Sequence, residues 1–315
     1  MLDSGSLIPK ETMAAGTQGL ITSQTALEFA VSIARVTPPR LGYAIGTGIA
    51  RWISSRADTV LVRAVRANQW IIAGKTDSSR FLDQAVQAVF RNSARSIYEL
   101  YHYNQHLRSA DQLFSIDPSF QAILARPELD RQGLVLAGLH MLGFDLGLQW
   151  LSLAQFKPLV LTIPNPQGGR QIEFDTRQKA GIKMVPGSVK GLLQALRLLQ
   201  QGGMVMTGID HPDPENNPRP RFFGLPAALP THYIFLALKA NVPVVVVGSR
   251  LEEDGKLHIY ASTPIIMSPH PNRADELQFN AEKVLSVVEE FIRRDPQQWL
   301  ISRPVWPEIV QDVPR

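Results

Sequence analysis

The chain has 315 residues, 44% of them hydrophobic and 19% charged, and no cysteine. That composition suits a globular protein with a sizeable core and excludes disulfides, thiolate metal ligands and a cysteine nucleophile. The net charge of +4 is unevenly placed: between Arg35 and Arg95 ten basic residues face three acids, so that window is +7 and the remainder −3.

In chain order, residues 1–20 are polar and rich in Gly, Ala and Thr, and read as a flexible N-terminus. Apolar residues then recur at helical spacing from Thr22 to Val36, until "TPPR" stops the pattern. Three more helical stretches follow: "LGYAIGTGIARWISS", "DTVLVRAVRANQWII" and, opened by serine caps, "SSRFLDQAVQAVFRNSARSIYELYHY". The texture changes near Gly133. Short apolar runs ("LVLAGL", "KPLVLTIP", "GGMVMTGID", "NVPVVVVGSR") and the alternating "KLHIYASTP" are separated by helical stretches, and "ADELQFNAEKVLSVVEEFIRR" closes the series. The expectation is an α/β fold: a central, mostly parallel mixed sheet flanked by helices, with an N-terminal helical extension. The division is 1–20, a helical extension over 21–128 and an α/β core over 129–310, the last two forming one continuous domain.

No run reaches the roughly 18 apolar residues of a membrane-spanning helix. The N-terminal stretch lacks the basic and apolar regions of a secretory signal. The reading is a protein that stays inside the cell, soluble or peripheral. Its basic helices mix arginines with Trp52, Trp70 and Ile71, which suits a membrane interface; a solvated helix face or core packing is the plainer alternative. No nucleic-acid recognition motif is present.

A histidine followed five residues later by an aspartate occurs three times: His106/Asp111, His140/Asp145 and His270/Asp275. Only His140 follows a predicted buried strand, in "LVLAGLHMLGFDLG", and reactive groups in open α/β sheets gather at the carboxyl ends of strands. A histidine there can take a proton from an attacking alcohol, and an acid on its other ring nitrogen would fix the tautomer. Asp145 equally suits a helix N-terminus as a cap. Backbone N–H groups near Gly143 are the nearest candidates for oxyanion donors. With no cysteine and no Gly-x-Ser-x-Gly, direct attack by an acceptor hydroxyl is simpler than an acyl-enzyme.

Three blocks in order, "GLHMLGFDLG", "GGMVMTGIDHPDPENNPRPRFFGLPAALPTHYIFLALKANVPVVVV" and "FIRRDPQQWL", make the chain resemble the lysophospholipid acyltransferase family. The similar branch holds the bacterial lipid A late acyltransferases and the mycobacterial phosphatidylinositol mannoside acyltransferase. The resemblance spans roughly residues 40–305. It implies transfer of a fatty acyl group from acyl-CoA or acyl carrier protein to a hydroxyl of a membrane lipid or glycolipid, at the cytoplasmic face of an anionic membrane, with no metal and no cofactor beyond the co-substrate. It matches His140 to the general base, Asp145 to its orienting acid and Asp210 to an acidic position near the histidine. Arg177 matches a basic block that binds acceptor phosphate or donor, and Phe222, Phe223 and Gly224 match a turn that shapes the acceptor and acyl site. Leu139 precedes His140 where the family usually has a small polar residue, and Met-Leu-Gly-Phe stands between His140 and Asp145 where the family has Gly-Asn-Trp or similar. That departure keeps two alternatives open: a lipid-binding protein that has lost catalysis, and a thioester or lipid hydrolase. His211 and Asp213 beside Asp210, and the pair His102/His106, have metal-ligand spacing, read as a solvated loop and a polar helix face. Trp299 reads as packing that closes the domain.

Overall fold

The computed structural model describes residues 31–76, 78–125, 132–162 and 169–314, with the side chains of 169–173 left aside. The expected flexible N-terminus, and most of the helix expected from Thr22, lie outside these residues; 31–36 are helical.

After that helical end come three helices: α1 (Pro39–Ser54), α2 (Val60–Ile72) and α3 (Ser79–Tyr103). Proline at the first position starts α1, and Thr59 and Ser78 cap the next two by accepting from Val62 N and Phe81 N. α1 lies against α3, where Gly42 lets the Tyr98 ring sit close: a Cβ there would lie 2.2 Å from Tyr98 Cε2. Tyr98 cannot swing aside without breaking the bond its hydroxyl donates to Thr37 O (2.6 Å). Gly42→Ala is therefore expected to overpack this contact at a cost of about 1–3 kcal/mol, seen as a lowered Tm; an unchanged Tm would show that the two helices are free to separate.

The rest is a seven-stranded sheet in the order β1-β9-β8-β2-β5-β3-β4. The strands are β1 (Phe114–Ile116), β2 (Leu134–Gly138), β3 (Leu159–Thr162), β4 (Met184–Pro186), β5 (Met204–Gly208), β8 (Val244–Leu251) and β9 (Leu257–Ala261); β6 (Arg221–Phe222) and β7 (Leu225–Pro226) form a separate hairpin. All neighbours in the large sheet run parallel except β8 and β9. The mostly parallel α/β sheet with an N-terminal helical region is the fold expected from the alternation of elements.

β2 sits in the centre and is buried along its whole length, as a strand covered on both faces must be. Its period of two sends Val135 and Ala137 into the apolar layer shared with α2, α7 (Val189–Gln200), α8 (His232–Ala240) and α9 (Arg273–Arg294). Leu134 and Leu136 go to the opposite layer, with α4 (Pro118–Leu124) and α5 (Phe144–Leu151). The remaining helix is α6 (Gly169–Lys179).

Trp70 and Ile71, which suited either a membrane interface or core packing, are buried in the core; the indole N–H of Trp70 donates to Thr76 O (3.0 Å). Part of the basic window is also neutralised locally, by the pairs Arg66–Asp83 (2.5 Å) and Arg95–Glu99 (2.7 Å).

Candidate active site

β2 and β5 are parallel neighbours in register, Leu134 beside Met204 and Gly138 beside Gly208. Two residues beyond each of those glycines stand His140 and Asp210, so the register alone brings them together at the carboxyl edge of the sheet. His140 Nδ1 lies 2.6 Å from Asp210 Oδ1, and the backbone N–H of His140 donates to Asp210 Oδ2 (2.8 Å). The same Oδ2 accepts from the indole N–H of Trp299 (2.8 Å). Asp210 is fully buried, while the His140 side chain is 32% exposed.

This arrangement decides the protonation pattern. Burial alone would keep Asp210 neutral, but the charge and hydrogen bonds of His140, and the Trp299 N–H, hold its carboxyl below the usual range. An ionised carboxylate only accepts, so Nδ1 carries the proton and neutral His140 keeps its lone pair at Nε2. Burial lowers the affinity of His140 for a second proton, but the opposed charge and hydrogen bond of Asp210, helped by the charge of Asp145, outweigh it. The pKa of His140 therefore lies above the ordinary 6.5.

The expected orienting acid was Asp145, and here the structure differs. Asp145, in the first turn of α5, is gripped by the guanidinium of Arg177 on α6 through Nε (2.9 Å) and Nη2. It acts on His140 through charge, whereas Asp210 makes the contact. The reason is geometric: the chain turns into α5 between His140 and Asp145, while β5 delivers Asp210 alongside. Nor is Asp145 the cap, a position held by Gly143 with φ +79°. The Gly143 N–H, expected among the oxyanion donors, donates to Ser96 Oγ (3.4 Å), and the Phe144 N–H to Met141 O (3.1 Å). Both are engaged within the protein.

Phe222 is fully buried, stacked on Trp306 (5.6 Å between centroids) and edge-on to Trp299 (6.1 Å). Phe223 and Gly224, both at positive φ, form the turn between β6 and β7, as a two-residue hairpin with matched twist requires. The expected turn is present. Phe222 stands behind the Trp that touches Asp210, not beside the imidazole, whose ring neighbours are Phe144 (5.6 Å) and His211 (6.0 Å).

The loop carrying His140 is held on several sides. Leu139 N donates to Val247 O (3.0 Å), Leu142 N to Gln298 O (2.9 Å), Leu300 N to His140 O (2.9 Å) and Ser249 Oγ to Leu142 O (2.7 Å). The strap 296–305 that supplies two of these bonds is itself held by amide side chains of the N-terminal helices. Asn68 Nδ2 donates to Arg303 O (2.9 Å), Gln69 Nε2 to Pro296 O (2.9 Å) and Asn92 Nδ2 to Gln297 O (2.9 Å). None of these amides stood out in the sequence.

The other two histidine–aspartate spacings form no such pair. Asp111 accepts from Trp150 Nε1 (2.7 Å), and His270 lies in a turn with Nδ1 near Asn272. His102, half of the zinc-like pair, sits with Nδ1 2.8 Å from Ala34 O. No group of three side chains able to hold a metal occurs among the described residues.

A partly exposed imidazole, with one nitrogen on a buried carboxylate and the other bearing a lone pair, at the carboxyl edge of a parallel sheet, is an arrangement able to take a proton from an incoming hydroxyl. The chain matches the model of the bacterial lipid A biosynthesis acyltransferase family over residues 22–307 and belongs to that family; it is an acyltransferase, of a family that works on lipid. None of the curated proteins searched matches it.

Proposed function

We propose that the protein transfers a fatty acyl group from a thioester, acyl-CoA or acyl carrier protein, to a hydroxyl of a membrane lipid or glycolipid, with His140 as general base and Asp210 as the acid that orients it. The observation that carries this reading is the His140–Asp210 pair, complete although the residues after His140 depart from the family's pattern. Nε2 takes the proton as the acceptor oxygen attacks the thioester carbonyl. The C–O bond forms, the tetrahedral intermediate expels the thiolate, and the imidazolium returns the proton to sulfur, giving thiol and ester. Arg177, with its charge opposed by Asp145, is the cation that would meet an acceptor phosphate or the donor.

The acceptor is a membrane lipid, and α1 presents a surface that suits one. Leu41, Ile45, Ile49 and Trp52 are all exposed and recur along one side of the helix, next to the face on which Gly42 meets Tyr98 of α3. Arg56 lies over Trp52 (3.6 Å), and Arg40 and Arg51 are on the same helix. Apolar side chains beside arginines fit the boundary of an anionic bilayer. No helix among the described residues is long and apolar enough to cross a membrane. We place the enzyme at the cytoplasmic face as a peripheral protein.

Incubation with palmitoyl-CoA, and separately with a palmitoyl carrier protein, in the presence of a membrane lipid extract tests the reaction. The expected products are free thiol and a lipid heavier by one acyl group. Thiol with only free fatty acid would make the protein a hydrolase, and no thiol from either donor would make it a lipid-binding protein. The pH dependence follows from the base. The active form is neutral His140, whose pKa is raised above 6.5, so kcat/KM is expected to fall on acidification with a midpoint above that value; a midpoint at or below it would mean that Asp210 does not hold the imidazolium.

A further inference from the structure

The Asp210 carboxylate has three donors and each is accounted for: His140 Nδ1–H on Oδ1, and the His140 backbone N–H with the Trp299 indole N–H on Oδ2. Two of the three come from the residue that Asp210 orients. The Trp299 N–H alone ties the carboxylate to a different part of the chain. Trp299 is fully buried and forms an antiparallel bridge with Met141, the residue after the base. Leu300 N and Gln298 O, on either side of Trp299, bond to His140 O and Leu142 N. Gln298 is itself locked, its amide accepting from Leu251 N (2.7 Å) and donating to Leu251 O (3.0 Å). A short strap thus holds the backbone on both sides of the base and, through the indole, the carboxylate behind it.

We infer that Trp299 is a positioning residue for the transfer reaction, its indole N–H fixing the rotation of the Asp210 carboxylate so that Oδ1 meets His140 Nδ1 and the lone pair of the base stays at Nε2. A carboxylate turns about its last side-chain bond with little resistance. Without the indole, one lone-pair direction of Oδ2 is left empty in a site closed to water, and the carboxylate is free to rotate away from the geometry that Nδ1 needs. The inference rests on the reading of His140 as the base.

The test replaces only the donor. Incorporating 3-benzothienylalanine at position 299 keeps the bicyclic shape and puts sulfur where the N–H was; Trp299→Phe is the simpler companion. Thermal unfolding shows whether each variant keeps its fold. Two readouts follow: kcat and KM for transfer from a palmitoyl thioester to membrane lipid extract, and the ¹⁵N spectrum of labelled His140, which reports which ring nitrogen carries the proton. For the benzothienyl protein the expected result is a kcat lowered about 10- to 100-fold, the range of a hydrogen bond to a charged group. KM stays nearly unchanged, and the His140 signals move from a single Nδ1–H form towards a mixture. Wild-type kcat and an unchanged ¹⁵N pattern would overturn the inference and leave Trp299 as packing. A lowered kcat with the wild-type ¹⁵N pattern would overturn it too. Should the wild-type protein transfer no acyl group, the general-base reading falls, and the ¹⁵N comparison still decides whether Trp299 sets the tautomer.

Discussion

Asp210→Asn is expected to lower kcat by about 10⁴-fold, the loss seen when the acid behind a catalytic histidine becomes an amide, while Asp145→Asn costs far less. Asparagine has one oxygen where Asp210 uses two, with three donors to satisfy. If that oxygen stays with the His140 backbone and Trp299, the amide N–H₂ faces Nδ1 and forces the tautomer whose lone pair points at the substituted side chain, not at the acceptor. Asp145 touches Arg177 instead, so its replacement loosens the guanidinium and is expected to raise KM more than it lowers kcat. Measuring kcat and KM for both variants separates the roles, and a greater kcat loss at Asp145 would reassign the orienting acid. The same change at Asp210 removes the charge that raises the His140 pKa, so any residual activity should show its acid midpoint at lower pH.

Gly208→Ala is expected to disable the enzyme without unfolding it. A Cβ on Gly208 would lie 2.7 Å from His140 Cε1. The ring cannot yield cheaply, because Nδ1 is fixed by Asp210 and the backbone of His140 is bonded at both N and O. The imidazole must tilt outward, and a displacement of about 1 Å at a reacting group costs on the order of 10²-fold in rate. The methyl group lies at a strand end and not inside a packed layer, so a small change in Tm should accompany the large loss of kcat. Normal turnover by this variant would mean that the ring has more room than its contacts imply.

The sheet and its position relative to His140 were legible because the buried strands are runs such as "LVLA" and "VVVV" between glycines, and the helices carry caps and apolar stripes. β1 and β4, three residues each, are too short for any period to show. α4 did have a signal that could have found it: Asp117 caps it and Pro118 starts it. His140, the proposed base, was legible from its place after a buried strand. Its partner was not, because Asp145 is near in sequence and Asp210 is 70 residues away; only the order and register of β2 and β5 make the distant acid the close one. Resemblance drew attention to Asp210, yet nothing local ranks it above Asp145. Trp299 was read as packing, which it does, but an indole's second role depends on where one N–H points. The amides of Asn68, Gln69 and Asn92 lie on amphipathic helices where a polar residue reads as solvent-facing, and their partners are carbonyls more than 200 residues away.

The most direct test is the rate of acyl transfer by His140→Ala beside wild type, followed as thiol released and as lipid gaining one acyl mass, with thermal unfolding to show that both are folded. Loss of transfer to background by a variant that keeps its Tm is the result predicted for a general base at Nε2. Transfer at a near-normal rate by the folded variant would contradict the mechanism, whatever acceptor the lipid extract reveals.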